Sequence, residues 1–302
     1  MSRVAVLLSA YNGNDYMEQQ IASIYQQTFR DFQLYIRDDG SSEEFVEKLR
    51  ELKQQYPFEL IEGENRGFAE SFMLLLDRVE DAEFYAFADQ DDIWLADKLQ
   101  TALTWFDEAD RKGTLGGQLP ALFHSAYDIM DPKGTTVGHF YFDNEGYDFR
   151  RSITENHYSG FAMVINRALR ERMLKGDPEQ IGYHDWWAAM IVQAFGVGYS
   201  DHRVMAVHRA HGDNVTTFNM RTRWSWLWNN MTAETDLRRR NREFKRCFYD
   251  ELSIENRKIL DLFTPERYNL LGAVKKCFST QRWRPLWTSE LVVRLLMLIG
   301  RI

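Results

Sequence analysis

Short apolar runs alternate with amphipathic stretches along the first third of the chain. Four of these runs are too short for a helix and end in polar residues, which is typical of buried β-strands. The four runs are residues 4–8, 32–36, 58–61 and 84–88. The stretches between them, around residues 17–25, 43–55 and 72–79, space their apolar side chains as a helix does. This β-α-β-α-β-α-β order predicts an α/β protein with a parallel, doubly wound sheet.

The pattern changes near residue 222. Before that point, further strands are predicted at residues 122–126, 160–165 and 204–208, and helices at about 167–174 and 186–195. After it, an aromatic cluster at 224–228 and a basic cluster at 238–242 both lie on predicted helices. We therefore predict a main α/β domain over residues 1–221 and a helical C-terminal region over residues 222–302.

Three of the four early apolar runs end in turns rich in Asn and Asp. The polar residues are Asn12 after the first run, Asp38 and Asp39 after the second, and Asp89–Asp92 after the fourth. In open α/β sheets, ligands bind outside the carboxyl ends of the strands, so one crevice could gather all of these side chains. The alternative for each turn alone is a purely local role, since Asn, Asp and Gly favour turns.

The densest of these turns holds three carboxylates within four residues, at Asp89, Asp91 and Asp92. Carboxylates this close repel one another unless a positive charge lies among them. A hard divalent cation that also binds phosphate oxygens would supply that charge. A solvated acidic turn is the alternative. The position at a strand end, closed by the aromatic Trp94, favours a binding site.

Composition and charge narrow the classes of function. The 302 residues fit one large domain or a domain with an appendage, and 44% hydrophobic residues are ample for a core. The net charge of −8 is uneven, because residues 223–302 contain 16 Lys and Arg against 9 Asp and Glu. That region carries +7 and the remainder −15. An acidic body would repel nucleic acid, whereas a basic C-terminal region would be drawn to phosphates or lipid head groups.

The end of the chain mixes tryptophan, leucine and arginine in a way that fits an interfacial amphipathic helix. The apolar residues of this pattern are Trp283, Trp287, Leu291, Leu295 and Leu298. A helix packed on the body, or one that contacts a second subunit in a homodimer, is the alternative. We find no signal peptide and no apolar stretch of membrane-spanning length. With two cysteines that look reduced, Cys247 and Cys277, the sequence predicts a cytoplasmic protein, peripheral on the inner face of the cytoplasmic membrane.

Read together, the motifs resemble those of the family 2 glycosyltransferases of the GT-A fold. The matching pieces, in the family's order, are Val6–Asn12, Ser23–Thr28, Asp38-Asp39-Gly40-Ser41, Asn65-Arg66-Gly67, Asp89-Gln90-Asp91 and His184-Asp185. The resemblance covers about residues 4–214 and implies a GT-A catalytic domain, Rossmann-like, with a mainly parallel sheet flanked by helices and a basic helical extension. Within the family, Asp89–Trp94 and Arg209-x-His211-x-x-Asn214 resemble the bacterial rhamnosyltransferases of surface-polysaccharide biosynthesis.

The resemblance implies a binding site for a nucleotide-sugar donor. Asp39, with Asp38 beside it, would accept a hydrogen bond from the pyrimidine base, as a carboxylate can. The other residues implied to line this pocket are Ala10, Tyr11, Asn12, Arg66, Asp89 and Gln90. Asp91 would hold Mn²⁺ or Mg²⁺ across the diphosphate. His211 would complete the metal or diphosphate site, with His208 as a nearby competitor.

The resemblance also implies a general base and an acceptor site. Asp185 would take the proton from the acceptor hydroxyl in an inverting transfer. The competing interpretation of Asp185 is a helix N-cap. His184, Trp186 and Trp187 would contact the acceptor, although only one Trp of such a pair is expected to face the cleft. The Q-x-x-R-W signature of processive relatives is missing after the base, so we expect one sugar to be added.

Together these features predict transfer of L-rhamnose from dTDP-rhamnose to a lipid-linked saccharide in bacterial cell-wall or surface-polysaccharide synthesis. Another hexose from a UDP- or dTDP-sugar is the alternative. A Rossmann oxidoreductase would need G-x-G-x-x-G after the first strand, where Ser9–Gly13 stands instead. A metal-dependent phosphatase or nuclease would leave Asp39 unexplained. A non-catalytic sugar-binding protein would be expected to lack the acid cluster or the base.

Overall fold

The computed structural model describes residues 2–13, 16–210, 236–266, 270–278, 282–284 and 287–300. One sheet dominates this part of the chain. Its strands are β1 (Val4–Ala10), β2 (Phe32–Asp39), β3 (Phe58–Gly63), β4 (Phe84–Asp89), β5 (Ile93–Trp94), β6 (Ala121–Met130), β7 (Thr136–Phe140), β8 (Met163–Asn166) and β9 (Val197–Arg209). They lie in the order β3-β2-β1-β4-β8-β6-β9-β5, and β7 pairs with β6.

The half of the sheet that the sequence predicted as parallel is confirmed. Strands β1, β2, β3 and β4 pair in parallel with no antiparallel partner among them. The other half is mixed, because β8 runs antiparallel to both β4 and β6, while β9 runs parallel to β6. The strand predicted at 160–165 begins later, at Met163, because residues 160–162 form a 3₁₀ turn.

Helices cover both faces of the sheet. The helices before residue 211 are α1 (Tyr16–Tyr25), α2 (Glu43–Gln55), α3 (Phe68–Arg78), α4 (Lys98–Arg111), α5 (Phe149–Ser152), α6 (Arg167–Met173), α7 (Pro178–Ile181) and α8 (His184–Phe195). The alternating side chains of β1 enter two cores: Val6 and Leu8 pack on one face, and Ala5 and Leu7 on the other. This alternation is the period of two that buries both faces of a strand.

In the described part of the C-terminal region, four more helices follow. They are α9 (Asp236–Phe248), α10 (Ile254–Phe263), α11 (Leu270–Cys277) and α12 (Trp287–Leu298). Their buried side chains, such as Phe244 and Trp283, belong to the same apolar core as Leu7 of the central strand. The boundary predicted at residue 221 and the aromatic cluster at 224–228 lie outside the described residues. Among the helices described, none is long and apolar enough to span a bilayer.

Candidate active site

The carboxyl ends of β1, β2 and β4 meet at one edge of the sheet. Asp38 lies beside Ala10 in the pairing of β2 with β1, and Asp89 lies beside Ser9 in the pairing of β4 with β1. The structure therefore brings together the three turns whose polar residues were singled out in the sequence. A ligand bound here would contact all three.

Side chains tie these turns to one another. The amide of Gln90 bonds to the backbone of Tyr11 twice, accepting from its N–H (3.0 Å) and donating to its carbonyl oxygen (3.2 Å). Asn12, which adopts a positive φ of 41°, donates its N–H to Ser41 (2.9 Å) and accepts from the N–H of Ser42 with its side chain (2.9 Å). The rim of the crevice is therefore held in place without a ligand.

Asp38 and Asp39 are both buried at the end of β2. Asp38 accepts from the backbone N–H groups of Gly40 and Ser41, and so shapes the turn. Asp39 accepts from the N–H groups of Arg66 (2.9 Å) and Gly67 (2.8 Å) and from the guanidinium of Arg37. A carboxylate offers about four acceptor sites, so these three donors leave about one for a ligand.

Arg66 lies on the turn that Asp39 holds. Its side chain is 47% exposed and faces Glu64, with the charged atoms 3.5 Å apart. The guanidinium is therefore free to turn toward a ligand, because an exposed ion pair of this kind is weak.

Asp92 is the fully buried member of the acid cluster. Its Oδ1 lies 2.8 Å from Nδ1 of His208 on β9. Burial alone would lower the pKa of His208, but the hydrogen bond to Asp92 and the charges of the three clustered carboxylates raise it to about 9. The contact with Asp92 therefore favours the charged form of His208. Asp92 anchors it and is more than a turn residue. His211, the predicted ligand, lies outside the described residues.

The surroundings of Asp89 disfavour ionisation of its carboxyl. Burial, Asp92 and Asp91 together raise the pKa of its carboxyl well above the usual range, and His208 opposes them only in part. The described residues contain no group of three His, Cys, Asp or Glu side chains placed to hold a metal ion by themselves. Oxygen ligands from one or two carboxylates nevertheless suit Mg²⁺ or Mn²⁺, which take their other ligands from phosphate and water.

Asp185 lies in the first turn of α8 and is half-buried. Burial raises the pKa of its carboxyl to about 6, while hydrogen bonds from Trp186, Gly160 and Asn156 and the charge of Arg240 act in the opposite direction. The start of α8 packs against the end of β4, since the ring of His184 lies 5.1 Å from that of Phe87, and the charge of Asp185 also raises the pKa of Asp89. A carboxyl with this pKa is suited to accept a proton near neutral pH.

The alternative interpretation of Asp185 as the N-cap of α8 is wrong. Tyr183 occupies the N-cap position, and Asp185 lies inside the helix. The Asp185 carboxylate accepts from the N–H of Trp186, the next residue, at 2.7 Å. A capping side chain would instead accept from an N–H two or three residues ahead.

The structure corrects two of the three predicted acceptor contacts. Trp187 is fully buried, donates to the carbonyl of Met173 (3.0 Å) and offers no face to an acceptor. His184 is also buried, with its ring stacked 5.1 Å from that of Phe87, and burial lowers its pKa to about 3. Trp186 is the half-buried member of the three, and its indole N–H donates to Ser152 (2.6 Å).

Arg240 is a residue near the site that the sequence did not single out. It lies in the basic cluster at 238–242, yet its side chain is fully buried against Trp186. Arg240, Phe244 and Phe248 are spaced four residues apart and share the buried face of α9. This spacing of four residues predicts that Arg240 shares the buried face of the helix, whereas Arg242 is exposed.

Comparison with known proteins identifies the fold and the family. The family model described as "Glycosyl transferase family 2" matches residues 5–175. The crystal structure of S. aureus TarS 1-349 superposes with a TM-score of 0.58 at 13% identity, over 99% of this chain and 81% of that one. The mannosyltransferase PcManGT of Pyrobaculum calidifontis, in complex with GDP-Man and Mn²⁺, gives 0.52 at 16% identity, over 99% and 86%. These similarities confirm the predicted fold class.

Two proteins are similar to this chain in sequence. The dTDP-rhamnosyl transferase RfbG of Shigella flexneri is 24% identical over 225 residues, which are 70% of this chain and 74% of that protein. An uncharacterized glycosyltransferase of Nostoc sp. is 29% identical over 119 residues. That alignment covers 37% of this chain, and the chain spans only 35% of the Nostoc protein.

Proposed function

Because the chain belongs to glycosyl transferase family 2, we propose that it is an inverting, metal-dependent enzyme that transfers one sugar from a nucleotide-sugar to a hydroxyl of a lipid-linked saccharide. The observation that carries this proposal is the contact between the start of α8 and the end of β4, where the rings of His184 and Phe87 lie 5.1 Å apart. This contact brings Asp185, whose pKa is raised to about 6, near Asp89 and Asp91, and we assign Asp185 to the acceptor hydroxyl and the other two carboxylates to the donor.

The proposed chemistry follows from that arrangement. Asp185 takes the proton of the acceptor hydroxyl as its oxygen attacks the anomeric carbon, and the nucleoside diphosphate leaves from the opposite face. Asp91 and His211 would hold a Mg²⁺ or Mn²⁺ ion, whose charge would offset that of the leaving diphosphate. His208, once deprotonated, is the alternative ligand, because its hydrogen bond to Asp92 resembles the carboxylate–histidine pairs that orient metal ligands.

We propose dTDP-rhamnose as the donor. The supporting observations are the similarity to RfbG over 70% of the chain and the carboxylate of Asp39 at the end of β2. The free acceptor site of Asp39 suits the imide N–H of thymine, which uracil also carries. UDP-sugars therefore remain the competing donors.

We expect dTDP-rhamnose to raise the midpoint of thermal unfolding more than other nucleotide-sugars do, in the presence of Mn²⁺. A ligand that binds only the folded state stabilises it by about 2.7 kcal/mol at one hundred times its Kd. Differential scanning fluorimetry with dTDP-rhamnose, dTDP-glucose, UDP-glucose, UDP-GlcNAc and GDP-mannose measures this. A larger shift with a UDP-sugar would assign the enzyme to another hexose, and an equal shift with GDP-mannose would contradict the preference for a pyrimidine donor.

We also propose that the enzyme works as a peripheral protein at the inner face of the cytoplasmic membrane. The supporting feature is an apolar surface on α11 and α12, which we call the hairpin face. Its members, each 38–74% exposed, are Leu270, Leu271, Val274, Phe278, Trp287, Leu291, Leu295 and Ile299. On α12 they recur every four residues, as one stripe of a helix does.

The charge around the hairpin face favours an anionic lipid surface over a second subunit. Residues 270–302 contain six Lys and Arg and one acid, Glu290. Glu290 is buried and paired with Arg294 at 2.6 Å, so these two charges cancel and the other five basic residues give the region its positive charge. A symmetric dimer would bring two basic surfaces together, whereas anionic head groups complement them.

The structure corrects the sequence interpretation of this region in one respect. Trp283, predicted as part of the interfacial stripe, is fully buried, with its ring 4.9 Å from that of Phe263. The guanidinium of Arg150 lies 3.7 Å from the same indole. Trp283 therefore packs the C-terminal helices against the α/β domain, whereas Trp287 is exposed.

The double variant Phe278→Asp, Leu291→Asp is expected to lose binding to phosphatidylglycerol vesicles by at least about tenfold. A buried side chain of this size contributes about 1.5–3 kcal/mol, and about 1.4 kcal/mol is a factor of ten. Co-sedimentation measures the bound fraction. Val137→Asp, at an exposed apolar residue of the body, is the matched control. Failure of the unaltered protein to sediment with these vesicles would refute the membrane proposal, and a dimer in solution would favour the second subunit.

A further inference from the structure

A single arginine of the C-terminal region reaches the helix that carries the proposed base. Arg240 on α9 is fully buried, and its guanidinium carbon lies 3.6 Å from the centroid of the Trp186 indole. Its Nη1 donates to the carbonyl of Ile181 at 3.3 Å. Within the described part of the chain, its Nε and Nη2 have no hydrogen-bond partner.

Burial of the Arg240 guanidinium is costly, so a purely structural role does not account for an arginine at this position. A buried guanidinium with one long hydrogen bond is poorly compensated for its lost hydration, and apolar replacement of buried charges is often neutral or stabilising. Burial indeed lowers the pKa of Arg240 to about 9, although it stays a cation at neutral pH. The compensation comes from the face of Trp186, a favourable cation–π contact, and from nearby negative charge.

The nearby negative charges are Asp236 and Asp185. Asp236 already forms an ion pair with Arg239 on the same helix. Among the residues that the structure describes, none forms a salt bridge with Asp185, and the charge that lowers the pKa of its carboxyl comes from Arg240. Trp186 connects Arg240 to Asp185. Arg240 stacks on the indole of Trp186, and the backbone N–H of Trp186 donates to the carboxylate of the preceding residue, Asp185.

The other polar groups around Asp185 come from several elements. Asp89 at the end of β4, Tyr127 on β6 and Tyr183 before α8 are the titratable groups whose charges couple to it. The uncharged donors are the Trp186 and Gly160 backbones and the Asn156 side chain. The charge of Asp185 raises the pKa of Asp89, since like charges repel, and the charge of Arg240 favours the ionised form of Asp185.

We propose that Arg240 is a positioning residue for Asp185: it fixes Trp186 by stacking on its ring and presents the positive charge that keeps the neighbouring carboxylate ionised beside Asp89. The proposal rests on the function proposed above, in which Asp185 is the base. It makes the C-terminal region a part of the active site as well as a docking surface. A chain shortened before α9 would lose catalysis together with membrane binding.

The test compares Arg240→Met and Arg240→Lys with Arg242→Met, which removes an exposed arginine from the same helix. Carbon-13 NMR of Asp-labelled protein, assigned with Asp185→Asn, gives the pKa of the Asp185 carboxyl. The pH profile of kcat/KM gives the acid limb of catalysis. Loss of an opposite charge at this range shifts a carboxyl pKa by about one unit or more. We therefore expect both quantities to rise by that amount in Arg240→Met, less in Arg240→Lys, and not at all in Arg242→Met.

The two measurements separate failure of this inference from failure of the proposed function. An unchanged pKa of Asp185 in Arg240→Met would overturn the inference, whatever the activity. A raised pKa with an unmoved acid limb would overturn both the positioning role and Asp185 as the base. If no donor supports transfer, the NMR titration still tests whether Arg240 acts on the carboxyl of Asp185. If thermal unfolding shows that Arg240→Met does not fold, Arg240→Lys is decisive: the pKa of Asp185 should rise by less than one unit while kcat falls, because lysine cannot stack on Trp186 as a guanidinium does, and an unchanged kcat would overturn the positioning role.

Discussion

Asp185→Asn is expected to lower the rate of sugar transfer by about 10²–10⁴-fold, the usual contribution of a positioned general base, with donor affinity unchanged. The amide has the same shape, and its oxygen can still accept the hydrogen bond from Trp186 that holds the carboxylate now. It cannot take a proton from the acceptor hydroxyl. Single-turnover transfer assays measure the rate, and calorimetry with the donor measures the affinity.

The pH dependence gives this prediction a second readout. Because burial raises the pKa of Asp185 to about 6, the carboxylate is present above that pH and is lost below it. The value of kcat/KM should therefore fall about tenfold per pH unit below pH 6 in the unaltered enzyme. This limb should vanish in Asp185→Asn. Asp250→Asn, at an exposed carboxylate, is the control and should keep the limb. Near-normal turnover of Asp185→Asn would remove Asp185 from the mechanism.

The parallel half of the fold could be predicted from the sequence because its signals are local. Each strand from Val4 to Asp89 is one apolar run, and each ends in a polar turn that the chain itself supplies. The sequence did not predict the pairing partners of β8. This strand inserts antiparallel between β4 and β6, and its pairing joins residues that lie about forty or more positions apart in the chain. The sequence therefore located the crevice better than it located the far side of the sheet.

The acceptor side could not be predicted as well, for a reason visible in α8. Apolar residues occupy nearly all of its positions, so the helical period does not reveal which tryptophan is buried. Packing decides it: Trp187 points into the core formed with Phe244 and Phe248 of α9, and Trp186 is left at the edge of the cleft beside Arg240. The residues that fix this choice come from the C-terminal region, far away in the sequence.

The acid cluster shows a similar division. Its place at the end of β4 followed from the sequence, but the separate roles of its members depend on β9. The pairing of Ile93 with Val207 brings His208 against Asp92, and their contact makes Asp92 the buried counter-ion. Asp89 and Asp91 are both half-buried, and we propose them as the carboxylates that contact the donor. Asp91 is therefore the better residue to substitute, because a substitution of Asp92 would also disturb the packing of β5 against β9.

Asp91→Asn is expected to remove the Mn²⁺-dependent part of donor binding and to reduce transfer with it. The reason is electrostatic: burial and two neighbouring carboxylates already hold the pKa of Asp89 well above its usual range, which marks a site that needs a cation. Even changes around a metal's direct ligands lower affinity by about 10–100-fold, and loss of a ligand should exceed this. Isothermal calorimetry with the dTDP-sugar, in Mn²⁺ and then in EDTA, measures the metal-dependent difference.

Two outcomes of that titration are informative. In the unaltered protein and in the control Asp97→Asn, at an exposed carboxylate on the following loop, Mn²⁺ should raise donor affinity. In Asp91→Asn the two affinities should coincide at the lower value, because the diphosphate then meets the acid cluster without the ion that bridges them. Equal donor affinity in Mn²⁺ and EDTA for the unaltered protein would refute the metal role. His208 would then be the cation that faces the diphosphate, since the pull of Asp92 raises its pKa to about 9 and keeps it charged at neutral pH.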